Sequence, residues 1–117
     1  MDVREINGQR VIEYPTDGAL LASISDVTDL VGEAFATDAT VVVVPASQLP
    51  AEFFHLRTGF AGEVMQKFQN YGRRLMVVGD ISAHVAQSTA LRDFVGETNR
   101  VGNHFFAPDR DAVEAAI

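Results

Sequence analysis

Apolar positions in this chain recur in two rhythms. In the first, Val27, Leu30, Val31, Ala34 and Phe35 fall at i, i+3, i+4, i+7 and i+8, which places them on one face of an α-helix. Ser25-Asp26 stands just ahead of that stripe and predicts its N-cap. Phe60, Ala61, Val64, Met65 and Phe68 repeat the spacing, with Glu63, Gln66, Lys67 and Asn70 mostly on the other side and Gly72 as the stop. A third stripe, Leu91, Phe94 and Val95, follows the capping residue Ser88 and ends near Asn99 and Gly102.

The second rhythm is unbroken. Val41-Val42-Val43-Val44 and Leu75-Met76-Val77-Val78 show no alternation with polar residues. Such runs fit strands covered on both faces, the usual state in a parallel sheet. Residues 104–107 predict another strand, and Pro108-Asp109 opens a last short helix through Ala112, Val113 and Ala116. Asn7-Gly8, between Asp2–Ile6 and residues 9–14, readily takes the positive φ angles of a tight turn and predicts a β-hairpin. Residues 20–24 fit either a short strand or a helix lead-in. Pro50 suits a first helical turn, so residues 51–55 predict a short helix. Strands alternating with helices imply parallel pairing through right-handed crossovers. The expected fold is therefore α/β: about five strands in a mixed sheet, an N-terminal hairpin plus parallel strands, and about four helices.

At 117 residues, one domain spanning 1–117 is expected, long enough for a continuous core without cross-links. There is no Cys, which removes disulfides, thiolate zinc sites and a thiol nucleophile. Net charge is −7, and the only basic pair is Arg73-Arg74, so the surface repels phosphate backbones and nucleic-acid binding is not expected. The start, MDVREINGQR, has no apolar leader region, and no apolar run approaches the roughly 20 residues needed to cross a bilayer. These features make a cytoplasmic protein without membrane association the expectation.

Ligands of open α/β sheets tend to sit beyond the carboxyl ends of the strands. Residues just past the predicted strands are Ser47, then Asp80 and Ser82, then Asp109; Arg57, Thr58 and Gly59 stand at the start of the second helix. Unpaired helix-start N–H groups, a hydroxyl and a guanidinium together suit an anion. Thr58 as a plain cap, Gly59 as a bend and Arg57 paired with a surface carboxylate account for the same residues without a ligand. Asp80 and Ser82 suit either ligand binding or a turn that satisfies its own main chain. His55, His84 and His104 are isolated, no HExxH occurs, and neither a nucleophile elbow nor a phosphate-binding loop is present. No catalytic residue, metal site or cofactor is therefore assigned.

The stretches FFHLRTGFAGEVMQKFQNYGRRLMVVGD, ALRDFVGETNR and HFFAPD resemble the bacterial domain-of-unknown-function 4180 family over nearly the whole chain. That family label implies no activity. A strand, a turn ending in Gly, a helix and a second strand are also similar to STAS domains, the sulphate-transporter and anti-sigma-antagonist fold. In signalling STAS members the turn reads roughly Asp-Ser-Ser-Gly and its first Ser is phosphorylated. Laid on that motif, Gly59 matches the Gly, Thr58 the second Ser, Arg57 the phosphorylated Ser and Leu56 the Asp. Residues 49–56 have no obvious counterpart in the short members. Arg57 cannot take a phosphate in this way and brings a fixed positive charge, so the resemblance implies a lost switch, unless Thr58 has taken over the role, and a turn better suited to capturing an anion.

Three functions follow as expectations. The first is a non-enzymatic STAS-like binding or regulatory module, self-associating, that meets a protein partner or small anionic ligand through Arg57, Thr58, Gly59, Asp80 and Ser82. The second is a small enzyme on an anionic metabolite, with Arg57 as clamp and Asp80, Glu63 or His55 as acid or base. The third is a purely structural protein that forms a homodimer through the edge of the Asn7-Gly8 hairpin.

Overall fold

Asn7 and Gly8 take φ of 51° and 79°, the positive pair that a two-residue hairpin turn demands. The turn joins β1 (Asp2–Ile6) to β2 (Gln9–Glu13), with Ile6 opposite Gln9 and Asp2 opposite Glu13. This computed structural model describes residues 1–117. β3 (Val41–Pro45), β4 (Arg74–Val78) and β5 (Phe105–Ala107) complete one mixed sheet in the order β1-β2-β3-β4-β5. Every pairing after the hairpin is parallel.

That unreversed order has a consequence. Each right-handed crossover steps the same way along the sheet, so the crossover helices all land on one face. They are α1 (Ile24–Ala36), α2 (Ala51–Phe54), α3 (Phe60–Asn70), α4 (Ser82–Ala86) and α5 (Thr89–Val101). The last helix, α6 (Arg110–Ala116), packs on the opposite face. The pleat divides the four valines accordingly. Val42 and Val44 join Ile12, Leu75, Val77 and Phe106 beneath the crossover helices, while Val41 and Val43 join Val11, Met76, Ala107 and Val113 beneath α6. All four are at most 2% exposed, so each contributes on the order of 1.5–3 kcal/mol.

The expected α/β architecture and mixed sheet are present, with six helices rather than about four. The difference is short pieces: α2 and α4 are single turns, and residues 56–58 form a 3-10 turn ahead of α3. Two local expectations change. The cap of α1 is Ser23, not Ser25: its hydroxyl accepts from Asp26 N while Asp26 Oδ2 accepts from Ser23 N, a reciprocal box that starts the helix earlier. Phe35 does not join the core. It is 46% exposed, edge-on to Tyr71, with the Arg73 guanidinium 4.0 Å from its ring centre. Two turns along a 3.6-residue period, an i+8 position has drifted to the flank of the stripe. No helix is long and apolar enough to cross a membrane.

Candidate functional site

The carboxyl ends of β2, β3 and β4 open onto a cleft of about 400 Å³. Its walls include Glu13 at the end of β2, Ser47 after β3, Asp80 after β4, His84 on α4 and Arg110 at the start of α6. Two of the predicted strand-end residues, Ser47 and Asp80, therefore share one cavity. Gly79 makes this possible. Its φ is +142°, and a Cβ there would stand 3.1 Å from the Ala46 Cβ, so the turns after β3 and β4 approach each other over a bare backbone.

Each polar group has a local cause. Asp80 Oδ1 accepts from Ser82 N at 2.9 Å. Ser82, through its hydroxyl and then its N–H, holds the Asp80 carboxyl below the ordinary carboxylate range, so it stays ionised at neutral pH. Ser82 itself faces a neighbouring hollow, shared with Asp80, Val85 and Phe106. Glu13 accepts from Arg4 at 3.1 Å and from both terminal nitrogens of Arg110, one at 2.7 Å, which fastens α6 to the end of β2. Ser47 Oγ donates to Gln48 Oε1, and Gln48 is buried against Gly18. Asp109 is a helix cap: its Oδ1 accepts from Ala112 N at 2.9 Å. No three His, Asp or Glu side chains converge closely enough to hold a metal ion.

Arg57, Thr58 and Gly59 stand outside the cleft lining, as an exposed turn. They follow Phe54, whose ring stacks on His84 of the cleft wall with centroids 4.1 Å apart and planes 7° from parallel. Helix α3 does not continue back through them. Residues 56–58 form the 3-10 turn, and Gly59 breaks it at φ 78°. The Thr58 hydroxyl is used internally: it lies 2.7 Å from Glu52 O and 2.8 Å from His55 O as donor, and accepts from Phe60 N at 3.2 Å. The N–H groups of Ala61 and Gly62 have no main-chain or side-chain acceptor. Glu63 and His55 are exposed beside this turn.

Arg57 differs from every other cation in the chain. Arg4, Arg10, Arg92, Arg100 and Arg110 face carboxylates. Arg74 donates to three carbonyls, Arg73 lies over Phe35, and Lys67 over Tyr71. The Arg57 guanidinium has no hydrogen bond, ion pair or aromatic face, although 16 acidic residues surround only 9 basic ones.

His84, Glu13 and Arg110 are cleft residues that the strand-end rule did not pick out from sequence. Glu13 was within its reach, since β2 also ends in the parallel part of the sheet; the hairpin pattern hid that second role. Arg110 and His84 arrive from opposite faces of the sheet, and no local spacing encodes that meeting.

The fold and these groups define an α/β protein built on one mixed sheet, with a polar cleft along the ends of its strands. A family model described as "Domain of unknown function (DUF4180)" matches residues 6–117, and the chain belongs to that family. Neither a curated protein nor a solved structure matches it.

Proposed function

We propose that the chain is a non-enzymatic, STAS-like binding or regulatory module that captures an anionic group at the turn formed by Arg57, Thr58 and Gly59. The observation that supports this most directly is the unpartnered Arg57 guanidinium. An exposed cation without a carboxylate, in a chain of net charge −7, is available to an external anion at no cost in internal pairing. The free N–H of the exposed Gly62 adds a donor at the positive end of the 11-residue helix α3, whereas Ala61 is buried. Thr58 acts as the turn's internal brace. Asp80, held by Ser82 N on the strand-end edge, supplies a separate negative charge that orients an anion-bearing partner reaching both places. Asp80 is held ionised, which suits it to accept hydrogen bonds rather than to deliver a proton.

The test is a titration with inorganic phosphate followed by amide NMR. Shifts centred on Gly62 and its neighbours in the turn, lost in Arg57→Ala, are the expected result. Shifts absent from that turn in the wild-type protein, or equally large in Arg57→Ala, would refute the proposal.

A further inference from the structure

The two edges of the sheet are finished differently. At the β5 edge, Asn99 occupies the outward N–H and C=O of Phe106. At the β1 edge nothing does. The turn at Asn7-Gly8 makes Ile6 and Gln9 a bonded pair, and antiparallel pairs alternate, so Val3 and Glu5 direct their main-chain groups away from β2. The other side of β2 agrees: Thr40 N donates to Arg10 O, and Tyr14 N to Val43 O, on the flank facing β3. Beside this free edge, large apolar side chains are open to solvent: Met1 at 51%, Val3 at 47% and Leu20 at 52%. Met1 and Leu20 also line an adjoining hollow of about 230 Å³ against α1.

We infer that this edge pairs with β1 of a second copy, with Val3 on the twofold axis. A closed dimer requires the same strand on both sides and hence antiparallel pairing. Because the outward groups belong to odd-numbered positions, few registers are open. Setting Val3 against Glu5 places Arg4 opposite Arg4. Setting Glu5 against Glu5 opposes two carboxylates, and setting Met1 against Val3 opposes Asp2 to Asp2. Each sets like charges directly across the strands, which is destabilising. Setting Val3 against Val3 does the reverse: Asp2 faces Arg4 of the second copy twice over, and the two valines meet on the side of the crossover helices. The charges of β1, which repel an arbitrary strand, thus complement themselves in one register. The paired edges join two five-stranded sheets into one, and Met1 of each copy comes to lie opposite Glu5 of the other.

The experiment uses the full chain. Sedimentation should give twice the monomer mass of 12.7 kDa, and Val3→Lys, which sets two ammonium groups face to face, should return it to 12.7 kDa. Because the chain has no Cys, a single introduced thiol reports the register. Directly opposed bonded residues lie about 5.5 Å apart at Cα, inside the roughly 4.4–6.8 Å that a disulfide spans. Val3→Cys should therefore crosslink under mild oxidation and Glu5→Cys should not, with circular dichroism confirming that both are folded. A wild type that stays at 12.7 kDa, a Val3→Lys variant that still doubles, or crosslinking through Glu5→Cys in preference to Val3→Cys would overturn the inference.

Discussion

The side-chain amide of Asn99 pairs with both main-chain groups of Phe106: Nδ2 donates to Phe106 O at 3.0 Å, and Phe106 N donates to Oδ1 at 2.7 Å. A helical residue here takes the place of a sixth strand. The amide ties the C-terminal turns of α5 to the last strand and spares a three-residue edge from opening to solvent.

Asn99→Ala should therefore cost about 1–3 kcal/mol, because it removes two bonds and leaves the Phe106 groups unpaired beside a buried ring. Asn99→Asp keeps the acceptor for Phe106 N but turns a carboxylate oxygen toward Phe106 O, and should also destabilise. Urea unfolding of the three proteins measures both effects. Equal midpoints would show that water replaces the amide without loss.

Much of the fold is legible because it rests on local patterns. The valine run, the helical stripe of α3 and the Asn-Gly turn each state their structure within a few residues. What was not legible is long-range. Residues 20–24, open between strand and helix, resolve into a lead-in because Leu21 N donates to Gln48 O, 27 positions away. The cleft was half legible: Ser47 and Asp80 follow from the strand-end rule, whereas Arg110 reaches Glu13 across 97 residues. The helix-start turn was visible in sequence, but the lack of any partner for Arg57 emerges only once every other cation is seen to be occupied.

Arg57 and Arg74 illustrate that contrast and give a paired prediction. Arg74 donates to Asn103 O, Gly102 O and Ala116 O at 2.8–2.9 Å, joining β4 to the end of α5 and to α6. Bonds from a charged donor contribute roughly 1.5–3 kcal/mol each, so Arg74→Met should lower stability by about 3 kcal/mol or more. Arg57→Ala should stay within about 0.5 kcal/mol of wild type, as expected for an exposed side chain without partners. Thermal melts of the two variants at equal concentration check the contrast.

His104 gives the chain a pH dependence near neutrality. Its Nδ1 accepts from Leu75 N at 3.1 Å, so the neutral ring carries its proton on Nε2. Burial first, and the Arg74 charge second, lower its pKa from the ordinary 6.5. Above about pH 6.5 both folded and unfolded chains hold a neutral ring, and nothing is lost. As pH falls below that value the unfolded chain takes up a proton first, so stability declines until the folded ring is protonated too. Asp80 and Glu97, both held below their ordinary values of 3.8 and 4.5, lose their contributions only at lower pH. Denaturant titrations at about pH 8 and about pH 5.5, on either side of the ordinary histidine value of roughly 6.5, should show a drop in wild type that shrinks in His104→Asn. An equal drop in both proteins would assign the pH dependence elsewhere.

Thr58 offers the sharpest local test of the helix-start turn. Its hydroxyl bonds to the carbonyls before it and accepts from Phe60 N after it, so one oxygen fixes both sides of the break at Gly59. Thr58→Ala should cost about 0.5–1.5 kcal/mol, the usual net loss of an intramolecular hydrogen bond, while Thr58→Ser should recover most of it. The same variants separate brace from ligand contact. If the hydroxyl only holds the turn, Thr58→Ser binds phosphate as wild type does, and Thr58→Ala weakens binding in step with the loss of order at Ala61 and Gly62. If Thr58→Ala keeps its stability, the bonds drawn from this hydroxyl contribute nothing, and Gly59 alone sets the turn. Hydrogen exchange at Phe60, Ala61 and Gly62 distinguishes these cases, because Phe60 N is the amide that the hydroxyl protects.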